Sequence, residues 1–242
     1  MASKGYLAVI GIGLLFILFL SLIVLGAPVG PNTITYLGNR TRGLNSPVSR
    51  SQDERGHIIT VRMNVTQQSL YWKAYVGNVT GKITLDDDLN FTIYDWAMGK
   101  TSGEVYATRK STAVTWTNVF CANNSVVERE GNLLNHTILK SDCLNKTFIN
   151  NNHAAFWVGS LSFSANQCKH TVHTYVSDHP QVSSFSELLL YDPSGYLVYA
   201  SIINNSAKGY DNGYYDFQML VAEKGQDGIV TPLTYYFYVE LT

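Results

Sequence analysis

The 242-residue chain, 45% hydrophobic and only 14% charged, has room for one large β domain or two small ones, and the strand pattern below favours one. A formal net charge of -1 leaves no basic field to hold nucleic acid or an anionic substrate, so nucleic acid is not expected as a partner.

In chain order the first element is Tyr6 to Ala27, 22 residues without a charge. As a helix rising about 1.5 Å per residue it would cross a hydrocarbon core of about 30 Å, whereas a secretory apolar region needs only about 7 to 15 residues. Residues 1–31 are therefore expected to form an N-terminal hydrophobic helix, ended by Gly26, Pro28, Gly30 and Pro31. Three fates are open: a signal peptide cut near Gly26, an uncleaved membrane anchor, or processing just before the apolar run. The last rests on Lys4-Gly5, which resembles the class III signal of archaeal type IV pilins, with Gly5 and Tyr6 flanking the cut. That resemblance implies a helix that leaves the bilayer and packs with its own copies as a filament core. The chain departs from the family at Ile10, where many pilins carry Glu.

Residues 32–56 are rich in Gly, Asn, Ser and Arg and read as a stalk, with a brief extended possibility at Thr33 to Leu37. Arg40, Arg42, Arg50 and Arg55 follow the helix while Lys4 alone precedes it, a bias that would point the body inward. Large domains translocate with little regard for such charges, and the sequons and cysteines argue for the exterior.

From His57 the pattern turns to strands. HIITVRMNV, YWKAYVG, KITLD, NFTIYDW, GEVYATR and AVTWTNVF follow one another, with Gly77-Asn78 and Gly81 bracketing an expected turn and Asp86 to Leu89 another. SFSELLLYD and GYLVYASII flank Asp192-Pro193-Ser194-Gly195, where Pro presets φ and Gly accepts positive φ. In the last run, Tyr235, Phe237, Val239 and Leu241 share one face and Tyr236, Tyr238 and Glu240 the other. The fold class expected is mainly β, with the N-terminal helix followed by an antiparallel β-sandwich over residues 57–242.

Between Cys121 and Cys168 the strand pattern breaks. Ser125-Val126-Val127-Glu128 matches a capping box, which predicts a short helix over Val126 to Leu134. Cys121, Cys143 and Cys168 have neither CxxC pairing nor metal-ligand spacing. Of the three possible bridges Cys121 to Cys168 is favoured because it clips both ends of this insert; the alternative is three unpaired core thiols.

Eight N-x-S/T sequons stand at Asn39, Asn64, Asn78, Asn90, Asn123, Asn135, Asn145 and Asn204, where chance supplies about three. They predict N-linked glycans on an extracellular surface. WKAYVGNVTG, IYDW, GEVYATR, DFQMLV and TYYFYVEL, spread over residues 72–241, resemble uncharacterised archaeal cell-surface proteins with an N-terminal membrane helix. The resemblance implies location and lineage and brings no established activity.

Catalytic motifs are absent from the sequence: no G-x-S-x-G elbow, no phosphate-cradling glycine loop, no H-E-x-x-H. His170 and His173, three apart, would face opposite sides of a strand, which disfavours zinc. Asp86, Asp87 and Asp88 offer hard oxygens for Ca²⁺ without EF-hand spacing and read first as solvated turn residues. The sixteen tyrosines read as core and sheet-pairing residues, or as one outward face for subunits or sugars. The expectation is a non-enzymatic archaeal extracellular glycoprotein, without cofactor or metal, polymerising through its apolar helix as a pilin-like filament. A membrane-anchored adhesin or envelope protein is the alternative, and a secreted hydrolase a third.

Overall fold

The computed structural model describes residues 28–39, 57–67, 69, 71–86, 92–97, 99–136, 142–176, 179–180, 184–225 and 233–241. The apolar run 6–27, the processing position Gly5 and Tyr6, the later part of the stalk and Asn90 lie outside the described residues. Seventeen strands and two α-helices are described: β1 (Thr33–Asn39), β2 (His57–Gln67), β3 (Trp72–Asp86), β4 (Thr92–Ala97), β5 (Gly103–Thr108), β6 (Phe120–Cys121), α1 (Asn124–Leu133), α2 (Leu144–Thr147), β7 (Phe156–Val158), β8 (Leu161–Phe163), β9 (Thr171–His173), β10 (Tyr175–Val176), β11 (His179–Pro180), β12 (Ser186–Tyr191), β13 (Leu197–Ile202), β14 (Ala207–Lys208), β15 (Tyr214–Tyr215), β16 (Phe217–Ala222) and β17 (Tyr236–Leu241).

They form two main sheets. The first runs β1-β2-β3-β16 with β4 on the far half of β3; the second runs β17-β5-β13-β12-β6 with β9 on β12. One cluster of buried side chains draws Val61, Met63 and Val79 from the first sheet and Val105, Leu189, Tyr199 and Val239 from the second, so the two sheets share a core. The opposite face of the second sheet is also covered: Tyr106, Leu188, Leu190, Val198 and Ala200 pack under Val114 and Val119 of the segment before Cys121 and under Phe156, Val158 and Phe163 of the insert. Two covered faces explain why SELLLY and LVYASI read as nearly unbroken apolar runs, since neither set of alternate side chains meets water. In β17 the alternation holds as the sequence predicts: Phe237, Val239 and Leu241 pack on the shared core and Tyr238 on the insert side.

Four local expectations are corrected. Thr33–Asn39, placed in the stalk by composition, is a strand that pairs parallel with β2, Thr33 opposite Thr60 and Tyr36 opposite Met63, so the first sheet is not wholly antiparallel. Upstream of it, Val29 and Val239 exchange backbone hydrogen bonds of 3.1 and 2.7 Å, which ties the segment to the second sheet as well. The expected turn at Gly77-Asn78 is instead the middle of β3. Gly77 serves close approach rather than bending: a Cβ there would lie 1.9 Å from the Arg62 carbonyl oxygen and 3.0 Å from the Phe217 ring.

The run AVTWTNVF, expected as a strand, turns at Trp116–Asn118 in a 3-10 helix and pairs only over β6. Trp116 there packs between Tyr106 and Tyr238, at ring distances of 5.0 and 5.1 Å, which holds the chain out of ladder geometry. Lastly, α1 starts two residues earlier than the Ser125 box predicts. Its N-cap is Asn123, whose Oδ1 accepts from Val126 N at 3.0 Å, and Asn caps as well as Ser. The Asp192 to Gly195 turn forms as predicted, with Gly195 at φ +81 and its N–H donating to the Asp192 carbonyl at 2.7 Å.

Candidate functional site

The insert over the second sheet concentrates the features that bear on function. Cys121, on β6 beside Leu190 of β12, is disulfide-bonded to Cys168 at the other end of the insert, and Cys143 is free and buried. The bond thus closes the cover of the second sheet onto its β6 edge, a placement that suits an oxidising compartment.

The sequons fall into distinct environments. Asn123 and Asn204 are exposed. At Asn123 the helix cap uses Oδ1, which leaves Nδ2, the atom a glycan replaces a hydrogen on, outside the cap. Asn204 Nδ2 donates to the Ser184 carbonyl at 2.6 Å and keeps one further hydrogen. Asn135 is half-buried at φ 58, its Nδ2 donating to the Gly225 carbonyl at 2.7 Å. Asn78, expected in a turn, is half-buried opposite Arg62, with Nδ2 reaching the Tyr214 carbonyl at 3.4 Å. Asn64 and Asn145 are half-buried, each with Oδ1 buried and lacking a partner. Asn39 ends β1 and its side chain lies outside the described residues, as does Asn90.

Asn123 allows glycan and cap to be separated. Asn123→Ala is expected to lose about 1 kcal/mol of stability along with the sequon, whereas Ser125→Ala removes the sequon and leaves the cap. Thermal unfolding of both unglycosylated proteins measures this, and equal losses would contradict the cap assignment.

Three carboxyls that sequence reasoning did not single out are buried inside strands without a basic partner among the described residues: Glu104, Glu187 and Glu240. Burial raises the Glu187 carboxyl well above its usual range, although Leu220 N of the other main sheet donates to Oε2 at 2.7 Å. Glu104 of β5 stands directly opposite Glu240 of β17. Burial, then the charge of Glu240, lifts Glu104 to about 8; burial lifts Glu240 to about 7, against hydrogen bonds from Gly159 N and Tyr106. The signal was available: each is a carboxylate at an inward position of an otherwise apolar run, in GEVYAT, SELLLY and YFYVEL.

A cleft of about 730 Å³ opens beside β3 and β16, lined among others by Trp72, Tyr75, Tyr210, Lys146 and His173. His173 Nδ1 lies 3.2 Å from Ser186 Oγ, but its Nε2 is buried with no partner, so among the described residues no third group orients the ring as nucleophilic catalysis needs. His170 instead contacts Asn124 Oδ1 at 3.0 Å. Among the described residues no three His, Cys, Asp or Glu side chains are grouped to hold a metal ion; Asp86 ends β3, and Asp87 and Asp88 lie outside them. Tyr106 and Tyr199 are fully buried, while Tyr196, Tyr214 and Tyr236 are exposed.

Comparison of the chain with protein-family models, curated proteins and solved structures returned no match.

Proposed function

We propose that the chain is an archaeal extracellular structural glycoprotein whose body is a β-sandwich and whose N-terminal apolar segment assembles it into a pilin-like filament. The observation that carries the exterior location is the Cys121–Cys168 disulfide at the base of an insert that also carries an exposed sequon at Asn123. An oxidised bond and a glycosylation signal on one short stretch favour the same compartment. The two main sheets sharing one core support the sandwich reading. Assembly rests on the 22 uncharged residues of Tyr6 to Ala27 and on the Lys4-Gly5 signal before them.

In this reading the β body forms a decorated sheath and the apolar segment the filament core. Leu15→Arg would place an unpaired charge in that core and is expected to abolish filaments while the body still folds and forms its disulfide. Electron microscopy of surface material, with unfolding of the isolated body as control, measures both; normal filament yield contradicts the reading. Intact mass separates it from its alternatives: loss of MASKG supports pilin-like processing, a full-length chain a membrane-anchored adhesin or envelope protein, and a start near Ala27 a secreted protein.

A further inference from the structure

The hairpin tip Trp157 to Leu161, between β7 and β8, sits over the edge where β5 and β17 pair, and two hydrogen-bond contacts join it to that edge, linked by a third within the edge. Gly159 N donates to Glu240 Oε1 at 2.8 Å, Glu240 Oε2 lies 3.1 Å from the Tyr106 hydroxyl, and that hydroxyl lies 3.3 Å from the Trp157 carbonyl oxygen. Tyr106 has one proton to give and faces the Glu240 carboxyl, the Trp157 carbonyl and the Glu104 carboxyl. Donated to an ionised Glu240, that proton leaves the Trp157 carbonyl without a donor. With a carboxylic proton present the chain closes: the acid donates to Tyr106, Tyr106 donates to Trp157, and Gly159 donates to the remaining oxygen.

We propose that Glu104 and Glu240 form a proton-operated latch, closed while Glu240 holds a carboxylic proton and released when it ionises beside Glu104, freeing the Trp157 to Leu161 tip of the hairpin. The two residues are directly opposed in the β5–β17 register, and both are buried. Double ionisation sets like charges side by side in a dry site, where one of the two must hold its proton. Glu104 Oε2 is buried and has no hydrogen-bond partner, so its charge would go uncompensated.

Tyr106 hydrogen-bonds both carboxyls, and the other described groups packed around the pair bring no compensating charge. On the strands Tyr106 and Tyr238 both have hydroxyls held above their usual range by burial, and Trp116 closes over both rings. β13, the other neighbour of β5, brings Ile202 and Ala200 to this level. On the hairpin stem His153 packs on Phe156; its Nε2 accepts from Cys168 N at 2.9 Å and its Nδ1 lies 2.7 Å from the Ala154 carbonyl, the pattern of a neutral ring. Among the described residues the ion pairs are Lys73–Glu223, Arg109–Glu130 and Lys110–Asp192, none of which involves Glu104 or Glu240.

The direction of the effect follows. Carboxyls whose folded values rise from the ordinary 4.5 to about 8 and about 7 bind protons more tightly when folded. The closed latch is therefore fully supported below about pH 4.5 and loses support as pH rises to about 8, the opposite of a salt-bridged acid. Trp157, 47% exposed, and the hairpin tip would be the first part of the cover to loosen.

Hydrogen exchange of the Val158 and Gly159 amides in the oxidised full chain tests this from pH 5 to 9, after division by the intrinsic rate at each pH. Protection is expected to fall by up to about tenfold per pH unit for each proton released as pH rises from about 5, and to level off above about pH 8, with the Leu189 amide of the core unchanged. Glu240→Gln, whose amide donates to Tyr106 and accepts from Gly159 as the protonated acid does, is expected to abolish the fall. Should that variant not accumulate, Glu104→Gln removes the like charge but leaves Glu240 raised by burial, and is expected to keep the fall with a shallower slope. Protection independent of pH in the wild type, a fall retained in Glu240→Gln, or an unchanged slope in Glu104→Gln overturns the proposal.

Discussion

Cys121→Ser and Cys168→Ser should each lower stability by about 4 kcal/mol, and the double variant by no more than either alone. The bond spans 47 residues, and in the chain-entropy picture a loop of that size confines the unfolded chain by about that amount. Either replacement breaks the same bond, so the two effects must not add. Denaturant unfolding under non-reducing conditions measures all three, and additive losses would show that each cysteine acts on its own. Cys143→Ser, harmless in a reading that leaves Cys143 outside the bridge, now carries its own smaller penalty of about 1 to 3 kcal/mol, because the thiol is buried and a hydroxyl there needs a partner.

Arg109→Ala is expected to cost about 3 to 5 kcal/mol, the range for removing one partner of a buried ion pair. Arg109 follows β5, and its Nε and Nη2 donate to a single Glu130 oxygen on α1 at 2.8 and 2.6 Å. Glu130 is 6% exposed, and its charge already helps to hold the Tyr199 and Tyr235 hydroxyls above their usual range. Truncating the arginine strands that carboxylate beside two phenols. Arg109→Ala/Glu130→Gln should recover much of the loss, since the stranded charge is then gone. Unfolding free energies of the single and double variants decide it: no recovery would mean that Arg109 acts through the packing of its stem.

How much of this was legible beforehand depended on whether the determining contact was local. Runs such as SELLLY and LVYASI announce strands by themselves because burial on both faces forces apolar residues at nearly every position. The 121–168 pairing was legible because the loop-rich insert has one cysteine at each end. TITYLGN was legible only as a brief extended possibility at Thr33 to Leu37, and its place in the sheet was not, since an edge strand pairing parallel with β2 takes its stability from a partner more than 20 residues away in sequence. Gly77 misled because a glycine that admits another backbone and a glycine that turns a chain look alike until the neighbour, here Arg62, is known. Within the candidate site, the exposed sequons were legible as signals but not as environments. The Glu104–Glu240 pair became visible only with the β5–β17 register.

Glycopeptide mass spectrometry of non-reduced protein from its native source tests the proposed extracellular, glycan-bearing body most directly. Modification is expected at most of the eight sequons, Asn123 and Asn204 among them, with Cys121 and Cys168 recovered as one linked peptide. Fewer than about three modified sites, the number chance supplies, together with a free Cys121, would contradict it.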